Sequence, residues 1–136
     1  MTKKFYAVKT VYRIDAKGKP EYKDKYFKEK SVLIEERILL VRADNQKQAI
    51  QKAETEARKY SKNDNVTNVY GQKVLMSYTG ICDSFELYDE PENNVEIFSS
   101  TRVLDKELKK DQLADLMLGK AETKKGLMYR RKFRSK

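Results

Sequence analysis

The chain has 136 residues, 39% hydrophobic and 38% charged, with 30 Lys+Arg against 21 Asp+Glu for a formal charge of +9. It contains no histidine and one cysteine, Cys82. This excludes Ser-His-Asp and Cys-His catalysis, an internal disulfide, and structural zinc sites, which take about four Cys or His ligands.

The length suits one core. The first residues carry no apolar signal-peptide region, and no apolar stretch approaches the roughly 20 residues that span a bilayer. The expectation is a soluble cytoplasmic protein with no membrane partner and no cofactor.

Residues 5–14 alternate as a strand, with Tyr6, Val8, Tyr12 and Ile14 on one face and Lys9 and Arg13 on the other. Gly18 and Pro20 mark a turn, which the polar residues 21–30 extend. Residues 32–43 read as a second strand. Glu35-Glu36-Arg37 interrupts its alternation and predicts a bulge or an exposed edge.

A helix follows to about residue 60, capped by Asp44 or Asn45, with Gln48 at capping-box spacing from Asn45. Ala49, Ile50, Ala53, Ala57 and Tyr60 form its core stripe, and the alanines predict close approach to a sheet.

Residues 69–88 are strand-like, but Val74, Met76 and Tyr78 occupy even positions while Ile81, Phe85 and Leu87 occupy odd ones. The switch predicts a bulge or a break into two strands at Gly80. A turn at 89–94 leads to a further strand at 95–103. A second helix is expected over 105–118, with Asp105 as N-cap, Gly119 after its end and a potential break at Lys110-Asp111. The fold class is thus α+β: an antiparallel sheet of four or five strands with helices mainly on one face, in the order β-β-α-β-β-α. Residues 1–119 form the domain and 120–136 a basic tail.

The run Glu35-Glu36-Arg37-Ile38-Leu39-Leu40-Val41-Arg42-Ala43, the alanine-striped helix ending in Tyr60, Tyr70-Gly71-Gln72-Lys73-Val74 and Ile81-Cys82-Asp83-Ser84-Phe85-Glu86-Leu87 together resemble a small bacterial family, domain of unknown function DUF4288. The resemblance covers about residues 5–102. It implies no activity and no catalytic residues, and it leaves residues beyond 104 outside the pattern.

The carboxylates do not read as a catalytic set. Adjacent strand residues Glu35 and Glu36 point to opposite faces, and Asp83 and Glu86, three apart, also diverge. No spacing gathers the oxygen ligands that a metal needs, and the glycines form no phosphate-cradling loop. Tyr6, Tyr12, Tyr70 and Tyr78 either line a groove or cover the edge of a core. A non-enzymatic role is expected; a small-ligand or enzymatic domain built on these tyrosines and carboxylates is a lesser alternative.

Charge is the most localised feature. Residues 120–136 hold eight cations and one acid, a net +7, while residues 1–119 hold 22 cations and 20 acids, a net +2. Within the tail, Tyr129 and Phe133 interleave with Arg130, Arg131, Lys132 and Arg134, behind Lys124 and Lys125. Arginine forks onto phosphate, and aromatic rings stack on bases. These eight residues are the candidate binding site, with RNA, DNA or a ribonucleoprotein as partner. The alternatives are an acidic protein surface anchored by Leu127, Met128, Tyr129 and Phe133, a solubilising tail without a partner, or a protein-interaction factor of phage or mobile-element type that uses the sheet surface.

Overall fold

Alternation in the first strand organises the whole sheet. The computed structural model describes residues 3–25, 27, 29, 32–62 and 66–119. In β1, Lys4–Lys17, the even-numbered Tyr6, Val8, Thr10 and Tyr12 are all buried. This strand is central: β2, Leu33–Ala43, lies on one side of it and β3, Lys73–Glu86, on the other, both antiparallel.

The β1–β2 register runs without a slip from Lys4 opposite Ala43 to Ile14 opposite Leu33. Of the two expectations for Glu35-Glu36-Arg37, the exposed edge is realised and the bulge is not. Glu35 and Arg37 stay in phase because each finds a partner beneath the helix; Glu36 faces outward and meets Lys9 Nζ at 3.3 Å.

The irregularity expected at Gly80 is present, with φ at +80° and a register shift opposite Thr10–Tyr12. Its consequence differs from the expected exchange of faces. Tyr12 pairs with Tyr78 and Thr10 with Cys82, so β3 gains two residues and even positions stay on the helix side throughout. Phe85, opposite Ala7, therefore lies on the outer face, where Phe98 covers it with ring centres 5.9 Å apart.

Counted as its halves on either side of Gly80, β3 supplies two of the four or five strands expected; as a ladder it is continuous, and among the described residues the sheet has three strands. Residues 95–103 form no strand. Their alternation has no ladder to satisfy it: Phe98 packs as a single side chain and Val103 is 98% exposed.

Helix α1, Gln46–Tyr60, begins at Asn45, whose Oδ1 accepts from Gln48 N, while Gln48 Oε1 accepts from Asp44 N. Both halves of the expected cap are present, the return bond falling on Asp44. Ala49, Ala53 and Ala57 are buried, and Ala49 and Ala53 share a cluster with Tyr6, Val8 and Ala43. With only methyl groups on that stripe, the helix axis comes close to the sheet.

The β1–β2 connection is pinned to the turn before β3. Asn68 Oδ1 accepts from the N–H groups of Tyr70 and Gln72, Gln72 Nε2 donates to Gly18 O, and Glu21 N donates to Tyr70 O. The ring of Tyr70, buried, packs edge-on against Tyr22 and Phe27 while its hydroxyl donates to Asp24.

The described residues divide into two units, the boundary falling after Ser99. In the second, α2 spans Lys110–Met117, starting at the point where a break was expected. Asp105 is not its N-cap: its carboxylate accepts from Glu107 N within a separate turn. Gly119, with φ at +68°, follows the helix as expected. The basic tail, including all eight candidate binding residues, lies outside the described residues.

Candidate functional site

Two features of the first unit have a geometry worth testing for function. One lies under α1, the other on the opposite face of the sheet.

Under the C-terminal half of α1, three tyrosines converge. Tyr12 from β1 sits with its ring centre 5.1 Å from Tyr60 of the helix and 5.6 Å from Tyr78 of β3. Each hydroxyl has an acceptor or partner: Tyr12 shares a 2.7 Å hydrogen bond with Thr10 Oγ1, Tyr60 donates to Glu35 on β2, and Tyr78 donates to Glu54 on the helix. The helix is thereby latched to both outer strands. Arg37 lies over this group, its guanidinium carbon 3.6 Å from the Tyr60 ring centre and 6.0 Å from that of Tyr12.

Burial together with the Glu35 hydrogen bond pushes the Tyr60 hydroxyl up to about 12. Burial and then Glu54 raise Tyr78 likewise, and burial raises the Cys82 thiol beside it. The same surroundings that hold these groups hold them protonated, so neither phenolate nor thiolate is favoured at neutral pH. Of the expected tyrosines, Tyr12 and Tyr78 meet here; Tyr70 belongs to the loop clasp and Tyr6 to the core under the helix. The expected divergence of the carboxylates is also found. Glu35 lies beneath the helix and Glu36 on the other face; Asp83, opposite Lys9, takes that outer face, while Glu86, opposite Tyr6, takes the helix side.

The described residues cover only half of the outer face of the sheet. Phe98 packs on Phe85, and Lys9 Nζ lies 4.7 Å from the Phe98 ring centre, so Ala7 beneath is buried. On the β2 side, Ile34, Ile38 and Leu40 are 55%, 46% and 54% exposed. They lie on one face of an edge strand, Ile38 and Leu40 in succession and Ile34 beyond Glu36.

Backbone pairing places their polar groups as well. Phe5 O accepts from Leu87 N, so odd-numbered residues of β1 turn their backbone toward β3 and even-numbered ones toward β2. The even residues of β1 oppose odd residues of β2. Hence Ile34, Glu36, Ile38, Leu40 and Arg42 direct their N–H and C=O groups to the open edge. Arg42 O agrees, since it accepts from the side chain of Lys52 rather than from β1. Sequence reasoning missed this strip, although the unbroken run Ile38-Leu39-Leu40-Val41 was a signal that both faces of β2 are apolar.

Among the described residues no group of three His, Cys, Asp or Glu could hold a metal ion, and no helix is long and apolar enough to cross a membrane. The chain belongs to the family described as Domain of unknown function (DUF4288), whose family model matches residues 5–99. That match ends where the first compact unit ends. No curated protein and no solved structure matches the chain.

Proposed function

We propose that the protein is a non-catalytic binding module whose basic-aromatic C-terminal segment contacts nucleic acid or a ribonucleoprotein in the cytoplasm. The observation that carries this reading is the segregation of charge: a net +7 within residues 120–136, against +2 for the preceding 119. Lys124, Lys125, Arg130, Arg131, Lys132 and Arg134 neutralise phosphates, and Tyr129 and Phe133 stack on exposed bases. The protonated state favoured for Tyr60, Tyr78 and Cys82 suits structural roles better than acid-base or nucleophilic ones. If about six phosphates are contacted, the logarithm of affinity falls with the logarithm of salt at a slope of about −4 on single strands. Titrating labelled single-stranded RNA and DNA with the full chain, and with a chain lacking residues 127–136, tests this. Loss of salt-sensitive binding on deletion is expected; binding that is unchanged by the deletion overturns it.

A second reading, a protein-interaction factor acting through the sheet surface, is supported by the exposed Ile34, Ile38 and Leu40 beside the open β2 edge. Capture of a protein that survives nuclease treatment and high salt would favour it over the first.

A further inference from the structure

Edge strands in soluble proteins are usually protected by lysines, proline, a bulge or short length. β2 has none of these four devices in its own sequence, although Glu35 and Arg37 turn inward beneath the helix and Lys52 of the helix reaches the edge at Arg42 O, near the strand's end. It is 11 residues long, keeps regular register with β1, and contains no lysine or proline. Its two arginines are Arg37, folded over Tyr60, and Arg42 at its end. Among the described residues no other strand pairs with its outer edge.

We propose that this edge is an interface with a second copy of the chain, formed by antiparallel β2–β2 pairing about a two-fold axis at Leu39. The inference rests on the reading that the sheet surface is an interface, and narrows it to one partner. The sequence of β2 selects the register. Placing Leu39 opposite Leu39 of the second copy sets Ile38 against Leu40 twice and Glu36 against Arg42 twice, all on the outer face, with Ile34 opposite Asp44 only at the ladder's ends, beyond the last strand residue Ala43. The paired residues are the even-numbered ones whose N–H and C=O groups face the edge, so they form the hydrogen-bonded pairs of the new ladder, Arg42 O using its second lone pair beside the bond from Lys52.

Neighbouring registers are worse. Centring on Ile38 sets Glu36 against Leu40 and Arg42 against Ile34. Centring on Arg37 opposes two arginines, and centring on Leu40 opposes Glu36 to Asp44. Opposite charges directly across a ladder stabilise it and like charges destabilise it. The favoured register is self-complementary in both shape and charge, as a two-fold interface requires.

Room for the helices is sufficient. The β1 strands of the two copies stand three strand spacings apart, about 14 Å. Helices packed on Tyr6 and Val8 then sit farther apart than the roughly 10 Å of direct helix contact, with the partly buried Leu39 and Val41 of each copy between them. The result is one continuous six-stranded sheet in which the aliphatic strips of the two copies lie side by side.

Sedimentation of the full chain over a range of concentrations tests the proposal, with circular dichroism and thermal melting to verify folding. A dimer is expected. Ile38→Pro removes an N–H that points to the open edge, leaves the β1 ladder intact, and should weaken association about tenfold or more. Glu36→Arg and Arg42→Glu, each alone, place like charges opposite one another and should also give monomers. An equimolar mixture of these two single variants should restore the dimer, because every mixed pair is complementary.

A folded monomer at all concentrations overturns self-pairing, as does a dimer that Ile38→Pro leaves intact or a mixture that fails to recover. If the wild type is monomeric yet captures another protein that Ile38→Pro releases, self-pairing fails while the sheet-surface reading stands. If it captures none, both fail.

Discussion

Arg37 and Tyr60 form a stack in which the guanidinium carbon lies 3.6 Å from the ring centre, while the hydroxyl of that ring donates a 2.7 Å hydrogen bond to Glu35 on the same strand as Arg37. One helix side chain is thus gripped by two alternate residues of the edge strand. Arg37 Nη1 is buried without a hydrogen-bond partner, so the stack and the apolar stem must offset the loss of its hydration. Arg37→Ala should lower stability by about 1–2 kcal/mol, because it removes the stack and the packing together. Arg37→Met keeps the stem and removes the unpartnered charge, and should stay within about 1 kcal/mol of wild type. Urea unfolding of both variants distinguishes packing from charge.

Alkaline pH should unfold the protein through the same cluster. The Tyr60 hydroxyl, at about 12 when folded, lies above its ordinary value of 10, and Tyr78 is also raised. A raised folded value means that the stabilisation is complete below pH 10, where the unfolded tyrosines are still neutral. It is lost as pH rises from 10 through 12, because the unfolded chain ionises first. Phenolate absorbance should show late titration of Tyr60 and Tyr78. Tyr60→Phe and Tyr78→Phe should each remove one of them and make stability fall less steeply across that window.

The hydrogen bond between Thr10 Oγ1 and Tyr12 Oη is completely enclosed: both residues are 0% exposed and the oxygens are 2.7 Å apart. Removing one partner strands the other. Tyr12→Phe or Thr10→Val alone should cost about 1–3 kcal/mol. The double variant should cost less than the sum of the two, since no buried hydroxyl is left unpaired. A thermal-melting cycle over the four proteins measures the difference.

Elements whose signals are local were legible in the sequence. Asn45 and Gln48 mark the start of α1, three alanines mark its buried face, and the even residues of β1 mark the central strand's core side. What escaped depended on a partner strand. The apolar odd residues of β3 predicted a change of face, yet a two-residue insertion at Gly80 restores the phase, and Phe98 covers Phe85 instead. Val95, Ile97 and Val103 alternate as a strand would, but alternation cannot supply the hydrogen-bonding neighbour. The same limit hid the apolar strip. Glu35-Glu36-Arg37 hinted at an edge, but only the place of β3 on the other side of β1 decides between edge and bulge and leaves Ile34, Ile38 and Leu40 beside it.

Gly80 is the position at which that insertion depends on one residue type. Its φ of +80° lies in the left-handed region, and a methyl group placed on it would meet no atom within 4 Å. The cost of Gly80→Ala is therefore that of backbone conformation alone, about 1–2 kcal/mol. Asparagine tolerates this region better, so Gly80→Asn should recover part of the loss. Gly71 offers the contrast: with φ at +79°, its added methyl group would also run into the side chain of Glu21 in the clasp. Gly71→Ala should cost at least as much as Gly80→Ala and should loosen residues 18–24 as well. Hydrogen exchange separates the two. Faster exchange should be confined to the middle of β3 and its β1 neighbours for Gly80→Ala, and should reach Glu21 and Gln72 for Gly71→Ala. Equal stability of wild type and Gly80→Ala would mean that β3 can pair with β1 without the left-handed residue.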